Sequence, residues 1–436
     1  MHKLVFYLCC ALTIPLSGQH AGALSKQAEK AFAKGNINEA AALFERAGRL
    51  KEGNLSLMNR AGEAYFQIRD YINAANCFQV VAMQPKYPFA GLRYARCLKQ
   101  QARYEPAQTA FESVRSNYAG PQMEVMLHVV KNELAGCALA ERFHQTFDSA
   151  NVRCASQIPA PVTTPEHEWS PLPFSDTLMY FFRTGENQNM LMRSTRKNGI
   201  WQIPVQASGL PESASKGFLS GTFSADAQRF YFVRTEEQLE ARKGGFDQIK
   251  GGVLYALQRN AEGEWGDPTR LRDYINLKGS ACLWPYVCQF DGEEWLFFAS
   301  NRPGGAGGFD LYCCKRPLNS DEFDFSFPLN LGEKINTGAD EVTPFYDIFN
   351  QQLWFSSMGH PSLGGVDVFF ADGISNQWSA VQNAGLDINS TADDYFFVLK
   401  KDGSGAFLVS NRKVEGTKNS TLDDDLFEVL FPKQED

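Results

Sequence analysis

"RPGGAGGFDLYCC" (Arg302–Cys314) decides how this chain is read. Five of its residues are glycine or proline, followed by an aspartate and an apolar run. A glycine loop that cradles phosphate opens a helix, whose N-terminus supplies amides and dipole. Here a strand-like run, DLYCC, comes next instead. The phrase also recurs, as GGVLYAL, GGVDVFFA and DDDLFEVLF. It is one copy of a repeated turn between strands. Gly307, Gly308 and Asp310, with Gly364, Gly365 and Asp367, are therefore read as structural turn residues. Glycines supply positive φ in tight turns, and the aspartate accepts hydrogen bonds from nearby amides.

Three further phrases recur in a fixed order around that turn. The first is TLMYFF, QRFYFV, EWLFFAS, QLWFSS and GAFLVS, each short, aromatic and apolar on both faces. Such runs are strands covered on both sides. Asp291–Gly292 and Asp402–Gly403 mark hairpin turns before two of them. The second carries tryptophan: NGIWQIP, EGEWGDP and SNQWSAV. The third reads DYINL, EKINTGADEVTPF and LDINSTADDYFF. Taken at Phe174, Phe223, Tyr286, Phe345 and Phe396, the spacings are 49, 63, 59 and 51. A four-stranded unit repeated radially is a β-propeller, here five-bladed. Six blades is the alternative, with a degenerate unit in a long inter-repeat stretch. The fifth unit ends at PKQED without an outer strand. The segment near 155–168 is expected to supply it, leaving no open edge.

The chain before this is helical, from about Ser25 to Asn151. Ala40, Ala74 and Ala107 each precede an aromatic by four residues, Phe44, Phe78 and Phe111, at spacings of 34 and 33. A small residue lets two helices approach, and the aromatic fills the gap one turn on. The repeat length is that of a tetratricopeptide repeat, with other helical-pair repeats as the alternative. The expected organisation is a leader at 1–23, a tetratricopeptide α-solenoid at 24–150, a proline-rich linker and closing strand at 151–168, and the propeller at 169–436. The fold class is multidomain, α followed by all-β.

The 436 residues carry a net charge of -8, so bulk electrostatics speaks against nucleic acid as a partner. Lys3 precedes an apolar core, Leu4–Ile14, then Pro15 and small residues, the pattern of an export signal cleaved after Gly18 or Ala23. That core is too short to span a bilayer, and no transmembrane segment is expected in the mature chain. Lipidation at Cys9 or Cys10 and a cytosolic chain with an apolar start are the alternatives. Periplasm, or the periplasmic face of an outer membrane, is the expected location. In an oxidising compartment Cys77–Cys97, Cys137–Cys154 and Cys282–Cys288 are the nearest disulfide pairings, with buried free thiols as the competing reading.

No HExxH and no GxSxG elbow is present. His167, flanked by Glu166 and Glu168, and His360 are the histidines of the propeller half. Adjacent residues of an extended segment point apart, so no metal site is expected at His167. Asp423–Asp425 reads as a solvated acidic turn rather than a calcium site. Asp340–Glu341 recurs as Asp393–Asp394, and Arg302 recurs as Arg412. Recurrence argues for structure over catalysis. No cofactor is expected.

LFFASNRPGGAGGFDLY resembles the WD-like propeller repeat of the TolB family. LGEKINTGADEVTPFYD is similar to the linker between blades in envelope proteins of gliding or type IX-secreting bacteria. Those proteins join tetratricopeptide repeats to such a propeller, and many continue into an OmpA-like domain that is absent here. The resemblance implies a non-catalytic scaffold, not an enzyme, binding envelope proteins through its groove and propeller faces, with indirect peptidoglycan or outer-membrane association. The alternatives are a propeller enzyme, or a glycan or small-ligand module using the central channel. Aromatics exposed at the channel mouth would mark the last of these.

Overall fold

The computed structural model describes residues 20–50, 54–146, 154–185, 188–210, 218–235, 251–320, 323–415 and 423–431. Most of the leader, with Cys9 and Cys10, lies outside them. Seven helices form an α-solenoid in sequence order, followed by a five-bladed propeller among the described residues. The chain divides into two compact units, residues 1–90 and 91–436.

The first unit holds α1 (Ala21–Ala33), α2 (Ile37–Leu50), α3 (Leu55–Gln67) and α4 (Tyr71–Val81). The Asn54 and Asp70 side chains accept hydrogen bonds from the amides of Leu57 and Asn73 and so start α3 and α4. Ala40, Phe44, Ala74 and Phe78 are buried. A Cβ on Gly62 would come within 2.8 Å of the Phe78 ring, so the small residue there is a packing requirement.

The second unit holds α5 (Ala90–Lys99), α6 (Tyr104–Asn117), α7 (Met123–Thr146) and the propeller. Blade 1 is β2 (Glu168–Ser175), β3 (Leu178–Thr184) and β4 (Asn189–Lys197), with β5 (Ile200–Trp201) and β6 (Val205–Gln206) outermost. Blade 2 is β7 (Phe218–Phe223), β8 (Arg229–Arg234), β9 (Val253–Gln258) and β10 (Thr269–Arg270). Blade 3 is β11 (Cys282–Phe290), β12 (Glu293–Ser300), β13 (Asp310–Pro317) and β14 (Leu329–Asn330). Blade 4 is β15 (Glu341–Asp347), β16 (Gln352–Ser357), β17 (Asp367–Ile374), β18 (Gln377–Trp378) and β19 (Gln382–Asn383). Blade 5 is β20 (Asp394–Leu399), β21 (Gly405–Ser410) and β22 (Asp425–Leu430). Its outer strand is β1 (Ser156–Gln157), with Ser156 opposite Glu428 and Gln157 opposite Phe427. Strands from the two ends of the propeller thus share one sheet.

One backbone hydrogen bond repeats at the blade junctions. The first residue of an inner strand donates its amide to the carbonyl just before the third strand of the preceding blade. Cys282 donates to Gly252 (2.8 Å), Glu341 to Phe309 (2.7 Å), Asp394 to Val366 (2.7 Å) and Glu168 to Asp424 (2.8 Å). Between blades 1 and 2 a side chain does the joining, from Asn189 Nδ2 to the Phe218 carbonyl at 2.6 Å.

Apolar packing fills the gaps between blades. Tyr346, fully buried, lies beside Trp295 and Phe297 of the neighbouring blade, at 6.2 and 5.4 Å between ring centroids. Blades 2 and 3 share a buried polar knot. Tyr231 Oη donates to Glu294 Oε2 at 2.6 Å, and Arg316 Nε donates to the same oxygen at 2.7 Å.

Removing Glu294 would leave the Arg316 guanidinium uncompensated in the core. Glu294→Ala is therefore expected to cost about 3–5 kcal/mol, read as a lowered urea midpoint in chemical unfolding. A midpoint unchanged within error would refute the role given to this knot.

Candidate functional site

The turn residues read from sequence form one face of the propeller, where third strands begin. Asp310 accepts from the amides of Ala306 (2.7 Å) and Gly307 (3.1 Å), and Asp367 from those of Leu363 (2.7 Å) and Gly364 (3.4 Å). The reason for the glycines needs correcting. Gly307, Gly308, Gly364 and Gly365 are not in the left-handed region; of the quoted loop only Gly304 is, at φ 90°. They are glycine because the next blade's entry loop presses against them. A Cβ on Gly307 would clash with Gly338 and Ala339, and one on Gly364 with Thr391 and Ala392. Asp340 Oδ1 and Asp393 Oδ1 then take the amides of Phe309 and Val366, fastening each turn to the blade after it.

The recurring arginines belong to the same scheme. Arg302 donates to the Ile275 carbonyl (2.6 Å) and Arg412 to that of Ile388 (2.5 Å). In blade 4 His360 Nε2 stands 2.9 Å from the Ile335 carbonyl, where blades 3 and 5 use arginine. Burial lowers its pKa, which favours the neutral ring. His167 Nδ1 accepts the Asp424 amide at 3.2 Å. Among the described residues no group of three His, Cys, Asp or Glu is placed to hold a metal ion. No described helix is long and apolar enough to cross a membrane.

The disulfide candidates are also corrected. Cys77, Cys97, Cys137, Cys282 and Cys288 are buried free thiols, and Cys154 is an exposed one. Cys282 and Cys288 sit six residues apart on the single strand β11. At about 3.3 Å per residue that separation is far beyond disulfide reach.

On this face α5–α7 pack on the blade 4 turn. Lys99 Nζ donates to Ser362 Oγ (2.9 Å), Tyr104 Oη to the Leu363 carbonyl (3.2 Å) and Asn132 Nδ2 to the Gly359 carbonyl (2.8 Å). Glu133 binds Lys99 and Arg96, both at 2.7 Å, and their cations hold its carboxyl down at about 2.

The opposite mouth of the channel is different. All five inner strands carry a register shift: in blade 2 between Phe218 and Ser220, and in the others between Trp169 and Leu172, Leu283 and Tyr286, Val342 and Phe345, and Tyr395 and Val398. At the last four a non-glycine residue takes positive φ: Ser170 (51°), Trp284 (51°), Thr343 (48°) and Phe396 (55°). Non-glycine residues seldom adopt this conformation, and such strain gathers at functional sites. Pro171, Pro285 and Pro344 come directly after three of the four, a signal of bulging present in the residues that strand periodicity alone does not pick up. Thr343 Oγ1 ties two blades by accepting the Phe396 amide at 3.2 Å.

Beyond the bulges the five inner strands enclose a cavity of about 760 Å³, open at the mouth. Leu172, Phe174, Phe223, Tyr286, Phe345 and Trp354 supply its apolar surface. Phe345 packs on Tyr286 at 4.9 Å, and Phe174 on Phe223 at 5.5 Å. Polar groups at the wall include Asp226, Gln289, Asp347, Gln352 and Lys400. Ser224 Oγ and the Gln228 amide donate to Asp226 Oδ1 and help hold its carboxyl below the ordinary range against the opposing effect of burial. Lys400 is ion-paired with Glu428, which Arg196 of blade 1 also binds at 2.8 Å.

No family model matches the chain, and no curated protein matches it. Solved structures do. An α-L-arabinofuranosidase from Lactobacillus brevis is 12% identical over 63% of this chain and 93% of its own, at a TM-score of 0.42. An endo-arabinase from Bacteroides thetaiotaomicron is 14% identical over 64% and 99%, at 0.41. A xylan β-1,4-xylosidase from Bacillus halodurans is 15% identical over 62% and 53%, at 0.40. The expectations of a non-catalytic scaffold and of no enzyme are corrected here, because a repeated frame does not exclude an asymmetric site at the channel mouth. The physical flaw lies in the inference from recurrence. A recurring backbone position holds Ser170, Trp284, Thr343 and Phe396 in different blades, so a symmetric frame carries an asymmetric lining. At these identities and TM-scores the likeness is one of fold alone, and a ligand can be assigned only from the cavity's own geometry.

The carboxylates on the turn face set a pH dependence. Burial raises Glu168, Glu341 and Asp367 to about 7, and each has a second carboxylate nearby, Asp425, Asp310 and Asp394 respectively. An acid whose folded pKa lies above its unfolded value binds more protons when folded, so stability falls as pH rises between the two. Melting temperature should therefore drop as pH is raised from 5 to 8. Glu341→Gln should shallow that slope, and an identical slope in the variant would refute the assignment.

Proposed function

We propose that the propeller binds a saccharide in the cavity at its channel mouth. The observation that carries this reading is an open cavity of about 760 Å³ whose wall combines aromatic faces with a few polar groups drawn from several blades. That volume lies within the range of about 300–1,000 Å³ common for small-molecule sites. Sugars present apolar C–H faces edged by hydroxyls. Phe174 and Phe345 suit the faces, while Asp226, Gln289 and Gln352 suit the hydroxyls. Phe174, 37% exposed, is an aromatic of the cavity wall that solvent reaches.

Asp226 lines the same cavity from blade 2. A carboxylate beside a bound sugar can serve as acid or base in glycosidic hydrolysis, and this favours turnover as a second reading. The apolar run Leu4–Ile14 behind Lys3 supports export to an envelope compartment. The 34- and 33-residue spacings and the phrase LFFASNRPGGAGGFDLY support the finer likeness to tetratricopeptide and TolB-type envelope proteins.

The test is calorimetric titration of the chain with linear oligosaccharides of glucose, xylose and arabinose, each from one to six units. At least one series should bind, and Phe174→Ala should weaken it about ten-fold, the scale of one aromatic contact. Failure of every series to bind would overturn the proposal. Reducing-sugar release that disappears in Asp226→Asn would establish the second reading.

A further inference from the structure

The cavity's aromatics differ greatly in how far they reach into solvent. Phe345 is 8% exposed, Phe174 37% and Phe349 91%, and all three line the same space. A single exposed apolar side chain is ordinary on a protein surface. Phe349 is not isolated, because it belongs to the lining of a cavity that also holds Phe174, Tyr286 and Phe345. Its exposure is also not a by-product of the turn that carries it. Asp347 Oδ1 accepts the amides of Phe349 (3.0 Å) and Asn350 (3.4 Å), and Asn350 Nδ2 donates to Asp347 Oδ2 at 2.7 Å. Gln351 completes the turn at φ 49°. Ile348, one residue earlier, is the member of the turn that packs on the core. The fold uses every part of this turn except the ring of Phe349.

We infer that Phe349 is an outer binding platform, and that the saccharide is therefore a chain that runs out of the cavity rather than a single sugar. The inference rests on the saccharide reading above and adds the length class of the ligand. Inner units occupy the space among Tyr286, Phe345 and Phe174, and a later unit lays its C–H face on Phe349. Asp347 acts as a positioning residue, since its hydrogen bonds fix the turn that aims the ring.

The experiment is the same calorimetric series, of one to six units, run on the full chain and on Phe349→Ala. Wild-type affinity should rise with length and show a step of about ten-fold where a unit reaches the platform. Phe349→Ala should lose that step while binding the shortest oligomers as the wild type does. Phe349→Trp should retain the step, which a merely structural role would not require. Melting temperature should be unchanged in both variants, because the ring makes no contact the fold needs. A length dependence identical in Phe349→Ala and wild type overturns this inference and leaves the cavity reading intact. No binding by any oligomer to the wild type overturns both.

Discussion

The propeller depends on one short hydrogen bond made at blade after blade. At four of the five junctions the amide opening an inner strand is given to the carbonyl that precedes the third strand of the blade before it. From Gly252–Cys282 to Asp424–Glu168 the donor–acceptor distance stays between 2.7 and 2.8 Å. The last of these joins the end of the repeat array to its beginning. The ring is therefore closed twice, once by that bond and once by Ser156–Gln157 completing the sheet of blade 5. A sheet edge left open there would be a template for aggregation.

That bond also explains why the turn face repeats its chemistry so closely. Each third strand must start close to the next blade's entry loop. Hence the glycines at 307, 308, 364 and 365, which leave no Cβ in the way, and the aspartates that gather loose amides. The charge placed there is buried in like-charged pairs, which is tolerated near neutral pH because burial holds some of the carboxyls protonated. The far mouth escapes these demands. Its bulges fix the backbone but leave the side chain free to vary, and the lining differs from blade to blade. The structural turns and the proposed binding cavity therefore lie at opposite ends of the same strands.

Much of this was legible in the residues. Phrases such as QRFYFV and EWLFFAS, apolar on both faces, identify β8 and β12, and their spacing gives the five blades. Ala40 and Phe44 mark a buried helix contact for the same reason of period. The cavity was not legible, because it arises where five distant segments converge. Its one local trace was the proline after Ser170, Trp284 and Thr343, which interrupts a strand without ending it. His360 could not be recognised as a stand-in for Arg302 and Arg412, since MGHP and SNRP match in position only once the blades are superposed in space. Nor could the reason for Gly307 be found in its own loop; it lies some thirty residues on, at Gly338 and Ala339.

The central claim is that the channel mouth is built to hold a sugar chain, and a crystal structure of the chain soaked in the tightest-binding oligosaccharide tests it most directly. The account predicts sugar density within the cavity, stacked on Phe345 and Phe174 and continuing outward to Phe349. Density bound only on the turn face or along the helices, with the mouth empty, would contradict it.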